Sequence, residues 1–305
     1  MRSFFACLLL ILCSFGAFAQ SDNSDSTRGE GPIDPAPPQG VTVDQIIQKF
    51  AAKETEFRQA WDQYAFRQDV KVQTLDGDTV DGEYREVSDI TFTDAGKRIE
   101  NVQFAPQSTL EKLQMTKEDF DDIRHQYPFV LSTDELPNYQ ILYVGRQRVD
   151  ELDTYIFDIA PKQMEKNKRY VQGRIWVDQQ DLQIVKTHLK PAFVKSKATE
   201  NQLFPAFTTY REQIDGTYWF PTYVKADEVL HFPGGRGYPP NDVHIRIIVK
   251  YTDYKRFGAK SRIIFNGEEL PEQKNPQQQP QQQPPQQQPP AQQPQQQTPP
   301  NKPKN

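Results

Sequence analysis

About ten segments with β-strand character follow one another along the middle of the chain. They are rich in aromatic and β-branched residues, and turn-forming Asp, Gly and Pro separate several of them. The connections leave little room for crossover helices, so consecutive strands are expected to pair antiparallel. A mainly β fold with a few helices follows. The segments are residues 64–74, 84–92, 98–104, 139–146, 154–160, 170–177, 182–189, 204–213, 218–229 and 243–254.

Two helices are predicted beside these strands. Thr42 and Gln45 form a capping box at the start of the first helix, and apolar residues then recur at helical spacing as far as Tyr64. The second helix, residues 116–127, is capped by Thr116 and ended by Pro128. Each helix therefore has an apolar stripe that must cover something apolar. The apolar residues of the first stripe are Ile46, Ile47, Phe50, Phe57, Trp61 and Tyr64.

The first nineteen residues have the pattern of a cleaved signal peptide. Arg2 precedes an apolar run, residues 4–15, and Ala17-Phe18-Ala19 supplies the small residues that a signal peptidase requires. Export is therefore predicted, most simply to a bacterial periplasm. Outer-membrane anchoring is the alternative if Cys13 is lipidated, although Leu12 is larger than the residue that usually precedes such a cysteine.

The remaining chain divides by composition into three parts. Residues 20–40 are rich in Ser, Asp, Gly and Pro and are predicted to be a flexible leader. Residues 41–270 are predicted to form one β domain, and residues 271–305 a disordered Pro/Gln tail. Both cysteines, Cys7 and Cys13, lie in the signal region, so the processed chain has no thiol chemistry. The net charge of −5, with mixed signs, argues against a nucleic-acid partner.

Known catalytic and metal-binding patterns do not occur in the sequence. The four histidines are far apart, and Ser is never found in a Gly-x-Ser-x-Gly motif. The aspartates 76, 78 and 81 lack the spacing of a calcium loop and are read as turn residues. We therefore expect no enzyme activity, no cofactor and no metal.

The strand pair between Asp153 and Asp178 carries a family resemblance. Residues 153–162, DTYIFDIAPK, and residues 169–178, RYVQGRIWVD, resemble a hairpin of the periplasmic lipoprotein-carrier and lipoprotein-sorting superfamily, the LolA/LolB-like fold. Residues 182–186, LQIVK, resemble its next strand. The resemblance implies an incomplete antiparallel β-barrel of about ten strands, with helices covering a concave apolar face that takes acyl chains or other lipids in relatives.

These observations lead to a first functional hypothesis. The chain is expected to bind a lipid or lipoprotein acyl chain in a half-barrel and to hand it on without chemistry, as a monomer with transient membrane contact. Residues 43–64 and 116–127 would form the lid, through Phe50, Phe57, Trp61 and Phe120. The alternative is an envelope sensor or protein-interaction module with a filled β domain and a tethering tail. The residues predicted to line the cavity are Phe92, Phe104, Phe157, Trp176 and Trp219.

Overall fold

A computed structural model of the chain describes residues 30–125, 128–166, 168–194, 205–233, 239–257, 264–265 and 268–269. The signal peptide, residues 1–19, Cys13, the first part of the leader and the tail, residues 271–305, lie outside these ranges, and the predictions for them stay predictions. Within the described ranges, no helix combines the length and the apolar character needed to cross a membrane.

The main sheet has ten strands and is antiparallel throughout. Its order is β3-β2-β1-β10-β9-β8-β7-β6-β5-β4, so β3 and β4 are its edges and the barrel is incomplete. The predicted fold class is confirmed. The strands are β1 Tyr64–Asp76, β2 Thr79–Phe92, β3 Arg98–Phe104, β4 Tyr139–Val149, β5 Leu152–Pro161, β6 Tyr170–Asp178, β7 Ile184–Ala192, β8 Phe207–Gln213, β9 Trp219–Phe232 and β10 Asn241–Arg256.

Two α-helices accompany the sheet, α1 at Val43–Trp61 and α2 at Lys117–His125, with a 3₁₀ turn at Leu136–Asn138. The capping box of α1 forms as predicted, with the Thr42 hydroxyl accepting from the Gln45 amide. The helix ends at Trp61 rather than Tyr64, because Tyr64 already pairs with Arg256 of β10. A separate unit, residues 260–305, contains a short pair of strands, β11 Ile264–Phe265 and β12 Glu268–Glu269.

One face of the sheet is covered by α1 and holds the main core; we call it the inner face. A single buried cluster there joins α1 to side chains from β1, β2 and β4 to β10. The opposite, outer face carries a smaller apolar cluster around Val149, Ile156, Trp176 and Val185. The apolar character of both faces of β6, visible in the sequence, therefore reflects two separate clusters.

The end of the predicted leader is held against the sheet. Glu30 forms an antiparallel bridge with Val149, and Asp34 forms one with Arg146, both on edge strand β4. The sequence predicted flexibility for residues 20–40 because their composition cannot form a core. The structure differs at residues 30–34, where long-range pairing with β4 supplies the partners that local sequence lacks.

Candidate functional site

The site that the sequence predicted, the inner face of the sheet, is filled by α1. Phe50 and Phe57 are buried to 0% and 1% exposure. The Phe50 ring lies 5.6 Å from that of Phe157 on β5, and the Phe57 ring 5.3 Å from that of Phe220 on β9. We call the space that α1 occupies the cleft. Its walls are mainly the apolar inner faces of the strands, which favour an apolar occupant.

One charged pair lies within this apolar interface. Glu54 of α1 and Arg211 of β8 have side-chain exposures of 0% and 1%. Arg211 Nη1 donates to both carboxylate oxygens, at 2.9 and 3.1 Å. The same nitrogen lies 3.3 Å from the Ile184 carbonyl oxygen, and Nη2 donates to the Phe129 carbonyl oxygen. The pair therefore ties α1 to β7, to β8 and to the segment after α2.

The pair is incompletely compensated. Burial raises the pKa of Glu54, and the neighbouring Arg211 guanidinium opposes only part of that rise. Arg211 Nε has no hydrogen-bond partner within the described part of the chain. Since removing two charges from water is costly, such a pair stabilises a fold less than matched apolar side chains would.

A groove of about 540 Å³ opens where the C-terminal end of α1 meets the segment after α2. The aromatic side chains of Trp61, Phe129, Tyr139 and Tyr170 line it. Three basic residues, Arg58, Lys168 and Arg169, share this lining with the acidic Asp62 and Glu135. The groove therefore offers aromatic surface next to charged side chains, beside the C-terminal end of α1.

The second helix is docked by both apolar and charged contacts. Ile123 is 3% exposed and belongs to the main core, and the Phe120 ring lies 5.4 Å from that of Tyr84. Asp122 pairs with Arg169, and burial raises the pKa of Asp122 to about 7. One of the contacts that dock α2 is therefore an ion pair whose carboxyl group has a raised pKa.

The five residues predicted to line one cavity do not come together. Phe92 and Phe157 lie in the main core, at 7% and 0% exposure. Phe104 is 49% exposed on edge strand β3. Trp176 and Trp219 pack in the cluster of the outer face. Phe104, Trp176 and Trp219 therefore lie away from the inner face, where the cavity was predicted, because aromatic content alone does not indicate which face of a strand a side chain occupies.

The residues predicted to form the lid lie on the two helices and pack toward the sheet. Phe50, Phe57 and Trp61 all point from α1 into the buried clusters, and Phe120 packs from α2.

The sequence reasoning missed Glu54 and Arg211. A signal was present, because Glu54 interrupts the stripe between Phe50 and Phe57 at helical spacing. Its partner lies on a distant strand, and helical periodicity cannot identify it.

The described residues contain no group of three or more His, Asp or Glu side chains placed to hold a metal ion. The His188 ring and the Thr208 hydroxyl share a hydrogen bond at 2.9 Å. His231 and His244 each lie 2.6 Å from an aspartate oxygen, of Asp242 and Asp227 respectively. These histidines therefore have ordinary side-chain partners.

Comparison with known proteins gives a structural likeness only. No family model matches the chain, and no curated protein matches it. A DUF1329 family protein from Desulfovibrio piger is similar over 68% of this chain and 92% of its own, at 15% identity and a TM-score of 0.34. A structure described as an outer membrane lipoprotein-sorting protein domain from Vibrio parahaemolyticus covers 68% and 93%, at 8% identity and a TM-score of 0.29.

Proposed function

We propose that this chain is an exported carrier that binds a long acyl chain in the cleft and hands it on without chemical change. In the ligand-free state α1 occupies the cleft, and the ligand takes its place. The observation that supports this most strongly is the buried Glu54–Arg211 pair between the helix and the sheet. Export follows from the signal-peptide pattern of residues 1–19.

The buried pair favours a removable cover over a permanent core. A helix that never leaves the sheet would be more stable with apolar residues at both positions. When α1 moves away, both charges return to water, and this rehydration offsets part of the apolar surface that opening exposes. The pair therefore lowers the free-energy cost of opening while still fixing the seated position of α1.

The ligand must be long to replace the helix. Exposing Ile46, Phe50 and Phe57, all at most 1% exposed, costs roughly 5–9 kcal/mol at about 1.5–3 kcal/mol for each side chain. Burying an acyl chain gains about 0.8 kcal/mol for each methylene. A chain of about a dozen methylenes therefore offsets the whole of this cost, whereas a chain of about six reaches only its lower end.

The groove at the end of α1 fits the head of such a ligand. Aromatic side chains such as Trp61 and Tyr139 suit the boundary between an acyl chain and water. Arg58, Lys168 and Arg169 lie at the same place, each paired with an acid of the chain that an anionic head group would have to replace. An amphiphile with an anionic head group would therefore lie with its chain in the cleft and its head in this groove.

The filled inner face favours a second candidate. The core cluster is continuous from α1 to the sheet, as expected for an envelope sensor or interaction module whose domain binds proteins at its surface. In that case α1 stays seated, and no acyl chain enters.

A chain-length series separates the two candidates. The full chain, exported by its own signal and purified, is incubated with saturated fatty acids of six to sixteen carbons and examined by native mass spectrometry. The carrier hypothesis predicts one ligand for each chain, with affinity rising about 15-fold for every two added methylenes. Phe104→Ala, at an exposed edge position, should leave the series unchanged. Absence of binding at every length would support the interaction module.

A further inference from the structure

The edge strand β4 has a short segment of the same chain along it. We call residues 30–34 the strap. The Gly31 amide donates to the Arg148 carbonyl at 2.8 Å, and Asp34 and Arg146 exchange two backbone hydrogen bonds, both at 2.8 Å. The strap thus adds to the sheet as an extra strand would. Such strand addition to an exposed sheet edge is a common way of recognising extended peptides.

Two acidic side chains of the strap contact cations of the sheet. The Glu30 carboxylate pairs with Lys186 on the outer face, and their side chains are 10% and 5% exposed. The Lys186 ammonium lies 4.7 Å from the centre of the Trp176 ring and 5.2 Å from that of Tyr210. Four residues after Glu30, Asp34 lies 2.5 Å from Arg146 Nη2. Lys186 and Arg146 therefore contact two acids that are four residues apart in the strap, at positions i and i+4.

β4 is shaped to receive a strand at this place. Its register shifts between Tyr143 and Gly145, and Gly145 has a φ of +154°. A Cβ atom on Gly145 would overlap the carbonyl oxygen of Asp34, so glycine makes the close approach possible. Gln147 Nε2 also donates to the Gly31 carbonyl oxygen at 2.7 Å. These features belong to the sheet and not to the strap.

The strap itself is an incomplete strand. Pro32 lies between the two bridges and Pro35 follows the second, and proline has no amide hydrogen to donate to a sheet. A second groove of about 540 Å³ lies beside Glu30, and we call it the Lys186 groove. Its lining includes Arg174, Trp176, Lys186 and His188. An amide hydrogen at position 32, two residues before Asp34, would face β4, whereas the amide at position 35 would point away from it.

We propose that the β4 edge and the Lys186 groove together accept an extended segment of a partner protein with acidic side chains at positions i and i+4. The strap occupies this site until such a segment displaces it. Charge complementarity selects the partner, and Pro32, which lacks an amide hydrogen facing β4, keeps the strap replaceable. The proposal is independent of acyl binding, because the site lies on the outer face.

The test uses a labelled peptide with the sequence of residues 29–37 carrying Pro32→Thr and Pro35→Thr. Its binding is measured by fluorescence anisotropy to the full chain carrying Glu30→Gln and Asp34→Asn, which weaken the strap. Saturable binding is expected, about tenfold or more tighter than to the unaltered chain, where the charged strap competes. Adding Lys186→Met should weaken it about tenfold or more. Lys190→Met, an exposed position on the same strand, is the matched control.

Three results would overturn the proposal. The first is equal binding of a peptide in which the acid at position 30 is replaced by Gln, a comparison that does not depend on the folding of any protein variant. The second is equal loss of affinity with Lys186→Met and Lys190→Met, which would indicate attraction between net charges. The third is displacement of the peptide by glutarate at similar concentration, which would make the groove a site for small anions.

Discussion

Replacing the buried ion pair by apolar residues should separate the stability of the domain from the opening of α1. Arg211→Met alone leaves the Glu54 carboxylate unpaired at 0% exposure, so a loss of about 3–5 kcal/mol in unfolding free energy is expected. In the double variant Glu54→Leu/Arg211→Met, removing both charges can gain about 1–4 kcal/mol. The Ile184 amide and the Phe129 carbonyl lose partners, at about 1–3 kcal/mol each at most. These ranges place the double variant between a gain of about 2 and a loss of about 5 kcal/mol relative to the unaltered chain. It should be more stable than Arg211→Met, because no buried carboxylate is left unpaired.

Acyl binding should respond differently from stability. Opening α1 in the double variant exposes two apolar side chains and rehydrates no charge, which raises the cost of opening by about 3 kcal/mol or more. Affinity for hexadecanoic acid should fall about 100-fold or more. Urea unfolding and native mass spectrometry provide the two measurements, and Lys53→Gln, which removes an exposed ion pair within α1, serves as control. Unchanged affinity in the double variant would refute the role of the pair in opening.

Three further predictions concern the fold around the cleft. Because the folded-state pKa of Asp122 is about 7, above its usual 3.8, the contribution of this group to stability falls as pH rises between these values, by up to about 1.4 kcal/mol for each pH unit. Urea unfolding of Asp122→Asn between pH 4 and pH 7.5 should show a smaller decline than the unaltered chain, and an identical decline would contradict the buried position. Phe157→Ala should lower the unfolding free energy by about 3–5 kcal/mol, and Phe104→Ala by less than about 0.5 kcal/mol. Equal losses for the two variants in denaturant titrations would contradict the buried position of Phe157 and the exposed position of Phe104. Thr42→Ala should cost about 1 kcal/mol through loss of the α1 cap, seen as a lower thermal midpoint, and no change would indicate that α1 contributes little to stability.

The antiparallel pairing of most consecutive strands could be predicted from the sequence. The pairing of β1 with β10, and the position of β3 and β4 at opposite edges, could not. Hairpin-length connections force antiparallel neighbours, and the capping box at Thr42 marks the start of α1, so both follow from local rules. The side of the sheet on which each residue lies was harder to predict. In β6, Trp176 points to the outer face while Ile175 lies in the main core. The alternation along β6 is regular, and the extra residue of the nearby register shift is on β7. A strand with two apolar faces does not show which of them is the inner one.

The two charged contacts depend on residues that are distant in sequence. Glu54 is separated from Arg211, and Glu30 from Lys186, by most of the domain. Local patterns report helix and strand periods, but they do not report which charge meets which after folding. Glu54 was still detectable as an acid on an apolar stripe. Glu30 was not, because its neighbours Gly31 and Pro32 have the composition of a flexible leader.

The most direct test of the carrier account is amide hydrogen exchange in α1, residues 43–61, with and without bound hexadecanoic acid. In the free chain these amides should be protected, because α1 is seated through Phe50, Phe57 and the Glu54–Arg211 pair. If the acyl chain takes the place of the helix, α1 should lose protection on binding while the inner strands keep theirs. Ligand binding with α1 still fully protected would contradict the account.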